Sequence, residues 1–203
     1  MLFRSADSVS SDNRAGGRLV AEALLEAGHA RFAFLGDMAA DTTAARAQGV
    51  ADACAEALVP PPLRLAIPGQ RFGDWEPAIR RSVNKLLNEK NRPTALVCSC
   101  DAVARIAMRA LAAHGVAVPD EISVTGFDDD PIAEWTSPAL TTVRQDFSEM
   151  GRHAYALLTA RLADPAAAPH HDDVAVTLVE RDSIAPNSPT FHPASHSLHG
   201  ATA

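Results

Sequence analysis

Ala95-Leu96-Val97-Cys98-Ser99-Cys100-Asp101 opens with four apolar residues and ends in an acidic residue suited to starting a helix. A short apolar run bounded in this way reads as a buried strand. Working forward, Asp101 to His114 has helical spacing and Gly115 supplies a left-handed stop. Ile122-Ser123-Val124-Thr125 is then a second buried strand, ending at Gly126 and followed by Phe127-Asp128-Asp129-Asp130. A strand, a helix and a strand joined so tightly form a right-handed βαβ unit, which places the two strands parallel.

The same unit recurs upstream. A helix opens near Asp12 or Asn13, whose short polar side chains can cap free backbone N–H groups, and stops at Gly28. Phe32-Ala33-Phe34-Leu35 is a strand ending at Gly36, Thr43 to Leu58 a helix closed by Pro60-Pro61-Pro62, and Leu63 to Ile67 a strand broken by Pro68-Gly69. A third helix begins near Trp75 and carries Ile79, Val83, Leu86 and Leu87. Four strands alternating with helices predict an α/β fold, a doubly wound parallel sheet covered on both faces. Downstream the rhythm changes. Pro138 to Val143 reads as extended, Phe147 to Leu162 as helix and Val174 to Val179 as one further strand. From Pro186 the composition of Ser, Pro, His, Thr and Gly lacks periodicity and reads as disordered.

The 203 residues carry 18 basic and 25 acidic side chains, a formal net charge of −7, and are 47% hydrophobic. That is enough apolar material for one substantial domain or two small lobes. The acidic balance argues against nucleic acid as a direct partner of this chain. No stretch approaches a membrane span, and the polar residues within Met1 to Ser11 spoil a signal-peptide core, so the expectation is a soluble, cytoplasmic chain. Cys54, Cys98 and Cys100 do not form a disulfide framework, which fits a reducing compartment.

In open α/β sheets ligands bind beyond the carboxyl ends of the strands. The loops there carry Asp37 to Thr43 with Arg46 one turn into the next helix, Gly73-Asp74-Trp75, Ser99-Cys100-Asp101, and Phe127 to Asp130. Carboxylates and a guanidinium make paired hydrogen bonds to hydroxyls or to a heterocycle's edge, and an indole covers the apolar side of a sugar ring or stacks on a base. A small polyhydroxylated or heterocyclic ligand fits that set. No Gly-x-Gly-x-x-Gly follows the first strand and no Gly-rich Lys-Ser/Thr loop occurs, so nucleotide sites of those kinds are not expected, and no cofactor is.

Each residue also has a plainer role open to it. Asp101 could be an N-cap, Asp128 to Asp130 a solvated turn before Pro131, Trp75 a packing anchor and Arg46 a surface ion pair. Asp101 and Asp128 could alternatively serve as the carboxylate pair of a glycosidase. Cys98-x-Cys100 has no second Cys/His pair at zinc spacing, and the two read as buried small residues on one face. His170-His171, His192, His196 and His199 support weak adventitious metal binding at most, so no metal site is assigned.

Several segments together resemble the effector-binding region of LacI/GalR transcriptional regulators. They are Ser11-Asp12-Asn13-Arg14-Ala15-Gly16-Gly17, Gly28-His29-Ala30-Arg31, Arg46-Ala47-Gln48-Gly49, Pro93-Thr94-Ala95, Asp101-Ala102-Val103-Ala104 and Val118 through Asp129. Pro138 through Asp146 and Leu178 through Ser183 continue the match in the family's order. The resemblance implies a periplasmic-binding-protein-like fold, with two α/β lobes closing on a small effector, and a helix-turn-helix headpiece that binds operator DNA. By motif position it implies effector contacts from Asp12, Thr42, Arg46, Trp75, Asp101, Asp128 and Gln145, with a sugar ahead of a purine. Cys100 departs from the asparagine that sugar-binding members often carry.

Nothing before Ser11 resembles the headpiece or the first strands of the N-terminal lobe, so operator DNA would be reached only through a segment missing here. The expected organisation is a partial N-terminal lobe at 1–28, a C-terminal α/β lobe at 29–143, a return segment at 144–183 and a disordered tail at 184–203. Apolar faces of the 147–162 helix and the 174–179 strand are expected to be left exposed. The resemblance also implies a homodimer, and Val103, Ala104, Ile106, Ala107, Met108 and Leu111 suit either that interface or the core. A periplasmic solute-binding protein shares the implied fold but needs a secretory signal.

Overall fold

The structure, a computed structural model, describes residues 6–67 and 75–187. Its body is a four-stranded parallel sheet built from β2 (Phe32–Gly36), β3 (Leu63–Ala66), β4 (Ala95–Cys98) and β5 (Ser123–Thr125), in the order β3-β2-β4-β5. Four helices flank it: α1 (Asn13–Glu26), α2 (Asp41–Glu56), α3 (Trp75–Leu87) and α4 (Asp101–Ala113). Side chains alternate along each strand. Phe32, Phe34, Ala95 and Val97 pack with Val20, Leu24, Val50 and Cys54 of α1 and α2. Ala33, Leu35, Leu96 and Cys98 pack with Ile79, Val83, Leu86, Ala104 and Leu111 of α3 and α4. Both faces are covered at β2 and β4, which is why those two central strands are continuously apolar, whereas the edge strand β3 exposes Arg64 and Ala66.

Val103, Ala104, Ala107, Met108 and Leu111 are buried in that core and Ile106 is partly buried against it, so of the two readings open to them the core accounts for this set. Cys98 and Cys100 lie against the same core layer, as strand alternation requires.

The helices end by one recurrent device. After α1, Gly28 at φ +86 lets its own N–H reach Leu25 O and the His29 N–H reach Leu24 O. Gly115 repeats this after α4, and after α2 the left-handed position is taken by Leu58, at φ 57 and 93% exposed. Asp12 caps α1 by accepting from the Ala15 N–H at 2.8 Å. Helices α1 and α2 touch backbone to backbone. A Cβ on Gly17 would collide with the Arg46 carbonyl, and one on Gly49 with the Arg14 carbonyl.

Three further segments complete the chain. β1 (Ser8–Ser11), a strand not expected from the sequence, pairs in parallel with β7 (His171–Val174). β6 (Thr142–Gln145) pairs antiparallel with β8 (Val176–Val179) and continues beside β5 through Gly126 N–H to Thr141 O and Asp128 N–H to Val143 O. The single strand expected at Val174 to Val179 is therefore two strands in two sheets, divided at Ala175. Helix α5 (Phe147–Ala163), capped by Asp146, buries none of its residues, and Phe147, Tyr155, Leu158 and Leu162 are exposed along it, as expected; the strand expected to be exposed with it is instead covered, Val174 being buried and Val176 and Leu178 packed against the α1–α2 core layer.

The segment expected to be a tail is corrected at its start. The Ala185 N–H bonds Ser123 Oγ, Asn187 N–H bonds Ala27 O, and buried Ser183 donates to Val124 O while accepting from Thr141 N–H, so residues 183–185 run beside β5 and Asn187 reaches the end of α1. Backbone groups that find partners there are fixed whatever the composition. Residues 188–203, like Gly73-Asp74 and Pro68-Gly69, lie outside the described residues.

Candidate functional site

Strands β2, β4 and β5 all point their carboxyl ends at one edge, and the residues that follow them build the site. Arg46 reaches that edge from the second turn of α2. Its Nε donates to Asn13 Oδ1 at 2.8 Å, its Nη1 donates to the Ser99 carbonyl at 2.5 Å, and its guanidinium lies 3.5 Å from the centre of the Phe127 ring. The side chain is 11% exposed, and Nη1 is 3.7 Å from Asp128 Oδ1. Burial pulls the guanidinium below its ordinary value, opposed chiefly by the Asp128 carboxylate. Arg46 is thus a buried clamp between α1, β4 and the loop after β5, not a surface ion pair.

Asp128 sits at φ 115, a conformation costly for any residue with a side chain and one that is typically held by its surroundings at functional sites. Here its N–H is bound by Val143 O and its Oδ1 accepts from Gln145 Nε2 at 2.7 Å. Burial pushes its carboxyl up to about 6, restrained by Arg46. The next residue is treated differently. Burial also pushes Asp129 upward, but Arg181 and Arg144 each donate to it, at 2.7 and 2.6 Å, and together hold it below its ordinary value.

Asp101 departs from the expectation of an effector contact. It is the first residue of α4 and fully buried, beneath a Gly126 whose missing side chain leaves it room. Its two oxygens accept from Thr142 Oγ1 and from the Asp130 N–H at 2.9 Å, so it staples β6 and the post-β5 loop to α4. Burial lifts it to about 6. A carboxylate so enclosed does not flank a substrate bond together with Asp128, which removes the geometry a glycosidase pair requires.

The other expected residues divide in the same way. Thr42 is exposed one turn ahead of Arg46, on the same side of α2. Trp75 begins α3, partly buried against the α3–α4 core layer. Asp12 uses its carboxylate as a helix cap, and Gln145 holds Asp128 on one side while accepting from Ser11 Oγ at 2.6 Å on the other. Ser99 and Phe127 stand in the loops that the strand-end rule marked, but neither was expected to hold Arg46, and Asn13 carried only a signal for capping, its place beside Asp12 at a helix start.

Cys100 lies half-buried next to Asp128 and packs against the α3–α4 core layer, and burial raises its thiol above its ordinary value, away from the thiolate form. Among the described residues no group of His, Cys, Asp or Glu is arranged to hold a metal ion. Two open concavities lie elsewhere. One of about 670 Å³ runs between β1 and α5, and one of about 720 Å³ is lined by Gln145, Phe147, His153 and Thr177. Neither includes Arg46, Asp128 or Trp75.

Comparison with known proteins gives consistent matches. The periplasmic binding protein-like domain family matches residues 21–184. The chain is 35% identical over 181 residues to the HTH-type transcriptional repressor PurR of Yersinia pestis, covering 88% of this chain and 52% of that protein. The chain therefore spans about half the length of the curated relatives it matches. Among solved structures, a LacI family transcriptional regulator from Enterococcus faecium with bound ribose is 25% identical with a TM-score of 0.77, covering 90% of this chain and 66% of that one. A dimeric Lac repressor with an 11-residue C-terminal deletion is 29% identical with a TM-score of 0.76, covering 90% of this chain and 65% of that one.

Proposed function

Because the chain belongs to the periplasmic binding protein-like domain family, and within it to the effector-binding region of LacI/GalR transcriptional regulators, we propose that it senses a small polar effector at the Arg46–Asp128 edge. The observation that carries this reading is the clustering of Arg46, Asp128 and the Thr42 turn at the carboxyl edge of the sheet, with Asp128 held in a strained backbone. A partly exposed carboxylate beside a guanidinium offers an acceptor and donors side by side, which suits adjacent hydroxyls. A sugar is the first choice of effector, and the ribose bound to one relative supports it.

Four of the expected contacts, Thr42, Arg46, Trp75 and Asp128, are assigned to the effector. Asp12, Asp101 and Gln145 are assigned to holding them. The whole regulator is a homodimer in this reading. Its operator contact belongs to a headpiece outside the matched half, and the effector changes the relation of two lobes that sets the headpieces. None of the described helices is long and apolar enough to cross a membrane.

Calorimetry with a panel of pentoses, hexoses, disaccharides and nucleobases tests the site. One class is expected to bind, and Arg46→Ala is expected to weaken that binding by about 1.5–3 kcal/mol, the worth of hydrogen bonds to a charged group. Binding that is indifferent to both Arg46→Ala and Asp128→Asn removes the site.

A further inference from the structure

The groups around Arg46 and Asp128 close a ring. Arg46 Nε donates to Asn13 Oδ1, and Asn13 Nδ2 donates to the Ser11 carbonyl at 2.7 Å. Ser11 Oγ donates to Gln145 Oε1, Gln145 Nε2 donates to Asp128 Oδ1, and Asp128 faces Arg46 again. Ser11 is 2% exposed and Asn13 7% exposed, so the ring's far side is shielded from water, where hydrogen bonds are hard to exchange for solvent. Both arms end on Ser11, the last residue of β1, whose neighbour Asp12 ties the strand to β7 through its N–H to Val174 O at 2.8 Å. The site is on one sheet and the arms end on another.

We propose that this ring is the coupling element between the Arg46–Asp128 pair and the β1–β7 sheet, with Asn13 and Gln145 as its positioning residues. The proposal rests on the effector reading for its purpose but not for its physics. Arg46 and Asp128 are the charged members, so a ligand or proton arriving at them changes the two bonds that Asn13 and Gln145 pass on. Neutral amides are suited to the relay because each donates with one end and accepts with the other, so a displaced partner at one end shifts the other end. The charged and titratable groups facing Asp128 are Arg46 from α2, Cys100 and Asp101 from the start of α4, and Asp130 from its own loop.

Amide hydrogen exchange of the whole chain by NMR tests this without any effector. The Asp12 amide reports on β1–β7, and the Ser123 amide, bonded to Thr94 O at 2.9 Å at the opposite end of the main sheet, is the control. Asp128→Ala, which removes the oxygen that Gln145 Nε2 bonds, is expected to lower protection of Asp12 about tenfold and that of Ser123 less than twofold. With both arms cut by Asn13→Ala and Gln145→Leu, the same substitution is expected to leave Asp12 unchanged. An undiminished effect with the arms cut, or no effect in the intact ring, overturns the proposal.

Gln145→Glu covers the case in which the double variant does not fold. At pH 8 its carboxylate repels Asp128 and Asp12 protection drops. At pH 5.5 the two carboxyls share a proton, the link re-forms, and protection corrected for intrinsic rates recovers; absence of recovery contradicts a relay. A positive exchange result alongside failure of every compound in the sugar and nucleobase panel would leave the ring standing and remove the effector assignment.

Discussion

Removing the Arg46 guanidinium should destabilise the chain by an amount that depends on pH in a defined direction. Arg46→Ala loses charged hydrogen bonds to Asn13 Oδ1 and to the Ser99 carbonyl and the stack on Phe127, all at 11% exposure. It also leaves Asp128 without its cation. Breaking a buried pair in this way costs about 3–5 kcal/mol, less where the stranded carboxyl can take up a proton. The folded pKa of Asp128, about 6, lies above its unfolded value of 3.8, so its contribution to stability is fully present below pH 4 and is lost as pH rises through 6.

Arg46 restrains that rise, so its removal lifts the carboxyl further. Each further unit adds about 1.4 kcal/mol to the loss at pH 8 and almost nothing at pH 5, where Asp128 is already largely protonated. Urea unfolding of the chain and of Arg46→Ala at both pH values measures the difference. The loss is expected to be greater at pH 8 by at least about 1 kcal/mol, and the excess should vanish in an Asp128→Asn background. Equal losses at the two pH values refute the ion pair, and a loss below about 1 kcal/mol at both refutes the buried clamp.

Gly17→Ala forces a methyl into the Arg46 carbonyl and is expected to cost more than about 3 kcal/mol or to prevent folding. Gly151→Ala, on an α5 face with nothing within 4 Å, should add up to about 1 kcal/mol; circular dichroism melts compare the two. Leu58→Gly relieves a left-handed leucine and removes an exposed apolar side chain, and should raise stability by about 1 kcal/mol in urea. His29 is buried between Thr94 Oγ1 and Ser123 Oγ, and burial holds it below its ordinary 6.5. Its contribution is present above pH 6.5 and is lost as pH falls, so His29→Gln should flatten the decline of the urea midpoint between pH 7 and pH 5.5.

The four parallel strands and their helices were legible because each strand is short, bounded and apolar on its inward face, and each helix carries its own start or stop. Asp12 and Gly28 bracket α1 in the sequence as they do in the structure. β1 was not legible: Ser8-Val9-Ser10-Ser11 has no apolar pattern, and its pairing with β7 is set by contacts more than 160 residues away along the chain. The division of β7 from β8 was hidden for the same reason, since His171-Asp172-Asp173 reads as polar surface until β1 is beside it.

In the site, the strand-end rule found Arg46, Trp75, Asp101 and Asp128 without a family. It could not tell which carboxylates face outward. Asp101 lies in the interior because Gly126 leaves a space that its oxygens fill, while Asp128, two residues further on, is turned partly outward by its positive φ. That distinction depends on packing between segments 25 residues apart, and no local pattern encodes it.

NMR mapping locates the effector on this chain. Titrating the labelled chain with the sugar that binds in the calorimetric panel should shift the Arg46 Nε–H, the Trp75 indole N–H and the amides of Thr42 and Asp128. The sequence of β3, on the sheet's far edge, should remain still. Shifts confined to the cavity beside Gln145 and Phe147, or to the groove between β1 and α5, would contradict the assignment and move the site off the main sheet.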